Sequence, residues 1–258
     1  MTFAVAAEAY DRFMGRYSGE LGRELASRAG LRPAMRALDV GAGTGKLTGA
    51  LAEIVGEENV AAVDPSEPFA ETLRERFPHA DVRRASAEDL PFPDEEFDAV
   101  LSQLVLNFVA DPKRALAEMR RVARRGGVAA AAVWDYGEAM TMLTRFWEAA
   151  ATIDADGAEA LDERRTMRLS AEGGLAELWE TTGLADVEGG AIVVSTSYES
   201  FDELWKPYLA GVGPAGAYAA SLAPDAQEAL RDEYRRRLGS PEGAFTLEAR
   251  AWYAVGTT

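Results

Sequence analysis

The stretch Ala37-Leu38-Asp39-Val40-Gly41-Ala42-Gly43-Thr44-Gly45 decides the fold, because a short apolar run passes directly into alternating glycines. The run predicts a buried strand, and residues 47–55 behind the glycines predict a helix. Glycines permit the positive φ of a tight turn and let a ligand approach the backbone closely. The N-terminus of the helix presents free N–H groups and a partial positive charge. The stretch therefore predicts a ligand-binding turn.

The spacing of the glycines argues against two common phosphate-binding turns. A dinucleotide fingerprint needs its third glycine where the chain has Lys46. A P-loop needs glycine in place of Val40 and a hydroxyl residue in place of Leu47. Asp64 ends the second predicted strand, where a carboxylate accepts the hydroxyl protons of a ribose. The pattern thus predicts a ligand that carries a ribose and needs no pyrophosphate cradle.

Strand and helix patterns alternate outward from this turn. Besides residues 37–40, the predicted strands are 59–63, 82–85, 97–101, 127–134, 185–196 and 245–255. The helix between the fourth and fifth strands has Asp111 as its N-cap and Pro112 at its first position, and Gly126 is predicted to close it. Alternation of this kind predicts an α/β fold with a doubly wound, mostly parallel, seven-stranded sheet and right-handed crossovers.

After Trp134 the pattern becomes mostly helical. We expect a single domain, 1–258, with a sheet, a lid and an inserted helical cap. The predicted parts are a sheet core at about 30–136, 184–197 and 243–256, an N-terminal lid at 1–29, and a helical cap at about 137–183 and 198–241.

Composition limits the classes of partner. The chain has 258 residues, a formal net charge of −16, no cysteine and one histidine. Such an acidic surface repels nucleic acid, and the missing cysteines exclude disulfides and thiolate chemistry. We see no apolar window of about 20 residues, no secretory signal and no metal-ligand cluster with plausible spacing. The expectation is a cytoplasmic monomer or homodimer that binds neither membrane nor metal.

Four segments in order resemble class I S-adenosylmethionine-dependent methyltransferases of the small-molecule, ubiquinone/menaquinone-methyltransferase-like kind. They are LDVGAGTG, AAVDPS, ASAEDLPFPDEEFDAVLSQLVLNFVADP and RRVARRGGVAAAAVWD. The resemblance covers residues 8–136 well and the rest only in general layout. It implies a Rossmann-like fold, S-adenosylmethionine (SAM) as methyl donor and S-adenosylhomocysteine (SAH) as product.

The resemblance also implies roles for individual residues. Gly41 and Gly43 let the methionine portion of SAM lie against the turn, Asp39 helps hold the loop or the amino group, and Asp64 takes the ribose hydroxyls. The remaining implied cofactor contacts are Pro65, Ser66, Ser86 and Ala87 near the adenine, Ser102 and Gln103 near the methionine, and Tyr10, Arg16 and Tyr17 in a segment that folds over the cofactor. Many relatives have Asp in place of Ser86, so the adenine contact loses charge assistance.

The methyl acceptor is expected at the carboxyl ends of strands four and five, under the cap. Its predicted lining is Leu104, Asn107, Trp134, Phe146, Trp147, Trp205 and Tyr208. This composition favours a small hydrophobic or aromatic acceptor. The aromatic residues are equally consistent with an ordinary core.

No histidine base is expected. Relatives often carry histidine where this chain has Asn107, and the one histidine, His79, precedes strand three at the opposite end of the sheet. Candidates for catalysis are Asp135 and Tyr136 as a base and Asn107 as an orienting group. An acceptor that is already nucleophilic needs no base. Two alternatives stay open: a nucleotide-dependent oxidoreductase, and a SAM-binding protein without catalysis.

Overall fold

The structure is a computed structural model and describes residues 13–165, 167–211 and 213–258. The helices are α1 Gly15–Arg28, α2 Lys46–Val55, α3 Glu67–Arg76, α4 Pro112–Val122, α5 Thr141–Ile153, α6 Ala155–Leu161, α7 Gly174–Glu180, α8 Phe201–Leu209, α9 Gly213–Ser221 and α10 Pro224–Arg237. The strands are β1 Ala37–Val40, β2 Val60–Asp64, β3 Asp81–Arg84, β4 Phe97–Gln103, β5 Ala123–Trp134, β6 Ala185–Tyr198 and β7 Phe245–Thr257. Single 3-10 turns occupy Glu57–Asn59, Glu163–Arg165 and Arg168–Ser170.

The seven strands form one sheet in the order β3-β2-β1-β4-β5-β7-β6. Strands β1 to β5 pair in parallel, and β7 runs antiparallel to β5. The predicted α/β, Rossmann-like and mostly parallel fold is therefore confirmed. Because β1 lies between β2 and β4, the carboxyl ends of these three strands meet at one edge of the sheet, where the chain order reverses. Open α/β sheets bind ligands at that edge.

Helix α4 shows both the strength and a failure of local sequence signals. The Asp111 carboxylate accepts a hydrogen bond from the Arg114 backbone N–H at 3.1 Å, and Pro112 occupies the first turn, as predicted. The prediction that Gly126 closes the helix is wrong, because the helix ends at Val122 and Gly126 (φ 72°) lies inside β5. The pairing of β4 with β5 shifts register between Phe97 and Ala99, and the glycine accommodates that irregularity.

The chain divides into two compact units. The sheet unit comprises Ser18–Trp134, Arg168–Ile192 and Ala251–Thr258. Its core packs Leu38, Val63, Val100 and their neighbours against the apolar face of α4, whose residues Ala115, Leu116, Met119 and Val122 are buried. In β5, Ala129 to Ala132 are fully buried, as suits a strand covered on both faces.

The helical unit comprises Met1–Tyr17, Asp135–Met167 and Val193–Arg250. Its core is aromatic: Phe146 stacks on Tyr208 with ring centroids 4.5 Å apart and meets Tyr234 edge-on at 5.7 Å. The hydroxyls of Tyr208 and Tyr234 both donate to the Met142 carbonyl oxygen, at 3.2 and 3.0 Å. Burial of these rings contributes a large apolar area, and the shared carbonyl satisfies their polar ends.

Candidate functional site

The glycine turn after β1 has the backbone that its sequence predicts. Gly41, Gly43 and Gly45 all have positive φ, at 78°, 52° and 83°. The backbone N–H groups of Gly41 and Ala42 donate to the Val63 carbonyl oxygen at 2.8 and 2.9 Å, which joins the turn to the end of β2. A Cβ atom added to Gly43 would meet no heavy atom within 4 Å, so the turn leaves room for a ligand above this residue.

Asp64 holds this turn from the adjacent strand. Its carboxylate accepts the Gly43 backbone N–H at 3.0 Å and the Ser66 backbone N–H at 2.8 Å. Burial raises the pKa of Asp64, and the two backbone N–H groups oppose that rise. Each carboxylate oxygen can accept a second hydrogen bond, so these contacts leave acceptor capacity for hydroxyls. Pro65 and Ser66 follow directly at the start of α3.

Asp39 is a buried carboxyl near the end of β1, 1% exposed. The Thr48 hydroxyl donates to one of its oxygens at 2.7 Å. The other oxygen, Oδ1, is buried and has no hydrogen-bond partner among the described residues. Burial, with a smaller contribution from the Asp64 charge, raises the pKa of Asp39 to about 7. A buried acceptor without a partner is costly unless a ligand satisfies it.

Ser102 and Gln103 end β4 next to β1. The Ser102 hydroxyl donates to the Val40 carbonyl oxygen at 2.9 Å and thereby ties the two strand ends together. The Gln103 amide donates to the Ser18 carbonyl oxygen of α1 at 2.9 Å, whereas its Oε1 is buried without a partner among the described residues. The carboxyl ends of β1 and β4 thus each carry one buried acceptor without a partner among the described residues.

The predicted adenine contacts lie after β3. The Ser86 hydroxyl and the Glu88 carboxylate are 3.2 Å apart, and Ala87 is buried. Glu88 also accepts the Asp111 backbone N–H at 2.6 Å. A carboxylate therefore stands two residues after Ser86, although Ser86 itself carries no charge.

Two of the proposed catalytic side chains, those of Asn107 and Asp135, form hydrogen bonds with other residues of the protein. The Asn107 carboxamide donates to the Ser170 hydroxyl at 3.1 Å and accepts the Leu169 backbone N–H at 3.0 Å. The Asp135 carboxylate accepts from the Arg250 guanidinium at 2.5 Å and from the backbone N–H of Gly137 at 3.0 Å. These contacts give both residues a structural role, and a catalytic role for either stays a prediction.

Tyr136, the third catalytic candidate, and His79, which the sequence excludes as a base, differ in exposure. Tyr136 is buried, with 8% of its surface exposed. His79 is exposed and uses its backbone N–H to bond the Glu57 carboxylate at 2.7 Å. It precedes β3 and so lies at the amino end of the strands, as the sequence predicts.

The described part of the chain contains no group of three or more His, Cys, Asp or Glu side chains that could hold a metal ion.

The predicted acceptor lining falls in both units, which we describe separately. Phe146, Trp147, Trp205 and Tyr208 come together in the buried aromatic core of the helical unit. Leu104, Asn107 and Trp134 belong to the sheet unit, the first two in the loop after β4 and the third at the end of β5. Their role toward an acceptor stays a prediction.

The predicted lid is described only in part. Tyr10 lies outside the described residues. Tyr17 is fully buried in the helical unit, and its hydroxyl lies 3.3 Å from that of Tyr198. Arg16 bonds the Ser197 carbonyl oxygen at 3.1 Å and pairs with Glu203. These contacts hold Arg16 and Tyr17 within the helical unit, and the contact of either residue with a cofactor stays a prediction.

Several residues of the site carry no signal in the sequence. Thr48 satisfies one oxygen of Asp39, Val105 packs against Gly41, and Arg250 neutralises Asp135. Thr48, Val105 and Arg250 belong to a helix, a loop and a strand, and no motif marks them in the sequence. The fold alone brings each of them next to the site residue that it contacts.

A family model for the methyltransferase domain matches residues 38–131, the segment from β1 into β5. Over these residues the chain is similar to methyltransferase domains. The match includes the glycine turn, Asp64, and the ends of β3 and β4, so the class I motifs and the geometry agree.

Relatives with similar sequences match this same part of the chain. An uncharacterized methyltransferase of Mycobacterium tuberculosis is 39% identical over 127 residues, which is 49% of each chain. A ubiquinone/menaquinone biosynthesis C-methyltransferase of Vibrio vulnificus is 37% identical over 106 residues, which is 38% of this chain and 41% of the relative. The chain thus spans half or less of the length of these curated relatives.

Solved structures extend the likeness to the whole fold. A protein from Anabaena variabilis, provisionally assigned as a methyltransferase of an antibiotic biosynthesis pathway, superimposes with a TM-score of 0.61 at 20% identity. The superposition covers 93% of this chain and 96% of that protein. The likeness of fold therefore extends to the region outside the sequence match. No helix among the described residues is long and apolar enough to cross a membrane.

Proposed function

We propose that this protein is a SAM-dependent methyltransferase that acts on a small molecule. The observation that carries the proposal is the edge of β1, β2 and β4, where Asp39 and Asp64 flank an open glycine turn. Asp39 Oδ1 is a buried acceptor that fits the ammonium group of the methionine portion. Asp64 fits a ribose, and the space above Gly43 fits a ligand lying on the turn.

SAM supplies an electrophilic methyl group on a sulfonium. The residues of the turn bind the donor, and the ends of β1 and β4 orient it. Holding donor and acceptor in line contributes roughly 7–11 kcal/mol to lowering the barrier. Because Asn107 and Asp135 are engaged by neighbouring groups, the structure favours an acceptor that needs no base from either residue. We propose a nucleophilic acceptor such as an amine, a phenolate or a stabilised carbanion.

The acceptor we propose is hydrophobic or aromatic. Its support is the composition of the predicted lining, in particular the aromatic cluster of Phe146, Trp147, Trp205 and Tyr208. A screen of radiolabelled methyl transfer from SAM to amines, phenols and activated carbon acids tests this class. Transfer only to strongly polar acceptors would contradict it.

Calorimetric titration of the purified protein with SAM, SAH and NAD⁺ tests the cofactor. We expect micromolar binding of SAM and SAH, and a loss of at least about tenfold, or about 1.4 kcal/mol, in Asp64→Ala. Asp81→Ala is the matched control, because Asp81 lies at the start of β3 and pairs with Arg83 at the protein surface. Binding of NAD⁺ in place of SAM would favour the oxidoreductase alternative. SAM binding with no methyl transfer to any acceptor class would favour a non-catalytic protein.

A further inference from the structure

The loop after β4, residues 104–108, has an unusual backbone and lies against the glycine turn. Leu104 has a φ of 65°, which is uncommon for a residue with a side chain. Its backbone N–H donates to the Ala132 carbonyl oxygen at 2.8 Å, and the Phe108 N–H donates to the Val105 carbonyl oxygen at 2.7 Å. Such a conformation persists only where the surrounding contacts hold it.

Val105 is the residue by which this loop contacts the turn. A Cβ atom added to Gly41 would lie 2.4 Å from Val105 Cγ2 and 2.7 Å from Cγ1. Val105 therefore fills the space that a side chain at position 41 would take. A displacement of the loop would therefore remove the contact that supports Gly41 in the turn on which the donor is proposed to lie.

Asn107 fixes the other end of the loop. Its Oδ1 accepts the Leu169 backbone N–H at 3.0 Å and its Nδ2 donates to the Ser170 hydroxyl at 3.1 Å. Ser170 is 5% exposed, and Leu106 and Leu169 belong to the same apolar cluster. Both ends of the carboxamide thus bond to one segment that is distant in sequence, and all of these residues lie in the sheet unit.

We propose that Asn107 is a positioning residue of the donor site, an inference that rests on the proposed function. Its carboxamide ties the loop after β4 to residues 169 and 170. The tie keeps Val105 against Gly41 and so maintains the turn in its ligand-binding form. In this role Asn107 acts on donor affinity through the loop and does not touch the methyl acceptor.

The test compares SAH affinity, measured by calorimetry, in wild type, Asn107→Ala, Ser170→Ala and the double variant. We expect Asn107→Ala to bind SAH about tenfold more weakly and Ser170→Ala about threefold, as loss of two or one hydrogen bonds predicts. The double variant should resemble Asn107→Ala, because both changes remove the same contact. Hydrogen exchange of residues 104–108 in the absence of ligand should rise in Ser170→Ala.

Asn59→Ala is the matched control. Asn59 also lies in the sheet unit, and its carboxamide Nδ2 donates a hydrogen bond to the Val55 carbonyl oxygen at 2.8 Å. It precedes β2, at the amino end of the strands, so its loss should lower thermal stability without changing SAH affinity or exchange in the loop.

Three results separate the explanations. Wild-type affinity and wild-type loop exchange in both Ser170→Ala and Asn107→Ala would overturn the positioning role. If Ser170→Ala behaves as wild type while Asn107→Ala binds SAH normally and loses methyl transfer, Asn107 acts on the acceptor and the inference is wrong. Failure of wild type itself to bind SAM or SAH contradicts the proposed function, and the loop exchange then still decides whether Asn107 holds the loop.

Discussion

The sheet unit and the helical unit each contain a buried carboxyl group with a strongly raised pKa, and the two groups differ in their hydrogen-bond partners. Asp39 in the sheet unit keeps one oxygen without a partner at the end of β1. Glu163 in the helical unit accepts from the Trp147 indole and from the backbone of Ala215. Burial raises the pKa of both groups to about 7. Burial alone therefore does not indicate a binding site; Asp39 differs from Glu163 because it combines an unsatisfied oxygen with a position beside the open glycine turn.

A substitution in the aromatic core of the helical unit should cause the largest loss of stability. Phe146→Ala removes a fully buried ring that stacks on Tyr208, so the free energy of unfolding should fall by about 3–5 kcal/mol. Urea unfolding followed by circular dichroism measures the change. Phe108→Ala is the control, because Phe108 is 65% exposed and its loss should cost less than about 0.5 kcal/mol. Equal costs would contradict the packing described for Phe146.

Substitutions in the glycine turn should have the next largest effect on the free energy of unfolding, and the cost should differ between Gly41 and Gly43. Gly41→Ala combines a positive φ with a clash against Val105 and should cost about 2–5 kcal/mol of unfolding free energy. Gly43→Ala has the positive φ alone and should cost about 1–2 kcal/mol. Thermal unfolding by calorimetry gives both values. A greater cost at Gly43 than at Gly41 would refute the contact with Val105.

Glu163→Gln tests the satisfied carboxyl. Its folded pKa lies above the ordinary value, so the folded state holds its proton more tightly than the unfolded state. The free energy of unfolding then decreases as pH rises from about 4.5 to about 7, by about 3 kcal/mol. The glutamine variant cannot lose a proton and keeps an acceptor oxygen, so it should lack this part of the slope. Urea unfolding at pH 5 and pH 8 compares the two proteins, and identical slopes would contradict the expectation.

Asp39→Asn tests the carboxyl with the unsatisfied oxygen. Only the ionised form pairs with an ammonium group, so SAH affinity should rise by up to about tenfold per pH unit below pH 7 and level off above it. The asparagine variant should bind weakly with no such rise. Glu163→Gln serves as control and should keep the wild-type profile. Calorimetric titrations between pH 5.5 and 8 give the profile, and an unchanged rise in Asp39→Asn would reject this role.

The smallest effect should come from Ser86→Ala, which removes a neutral hydroxyl from the predicted adenine contact. The loss of one hydrogen bond, about 0.5–1.5 kcal/mol, should weaken SAM binding by roughly threefold to tenfold. The exposed Ser27 of α1 provides a control, since Ser27→Ala should leave affinity unchanged. A loss at Ser27 equal to that at Ser86 would show a general effect on stability.

Local chemistry explains which parts of the molecule were predictable. Gly41, Gly43 and Asp111 have backbone conformations or caps that only a few residue types satisfy, so the sequence revealed the turn and the start of α4. The prediction that Gly126 ends α4 was wrong because a glycine with positive φ occurs at strand irregularities as well as at helix ends.

Contacts between distant segments were not predictable. The bond from Leu169 to Asn107 joins residues 62 apart, and the pair of Arg250 with Asp135 joins residues 115 apart. Asparagine, aspartate and arginine are common in loops and strands, and nothing in their local sequence names a partner. The aromatic residues of α5 and α8 were consistent with a buried core, but their sequence did not predict that Phe146 would stack on Tyr208.

The five tryptophans of the chain are intrinsic fluorescent probes of its two units. All five are buried; Trp134, Trp179 and Trp252 belong to the sheet unit, and Trp147 and Trp205 to the helical unit. Trp147 bonds the Glu163 carboxylate, so its fluorescence should follow the ionisation of that group. Variants that keep the tryptophans of one unit and carry phenylalanine in place of the others would therefore report, by emission wavelength, when that unit loosens and, in the helical unit, when Glu163 changes charge.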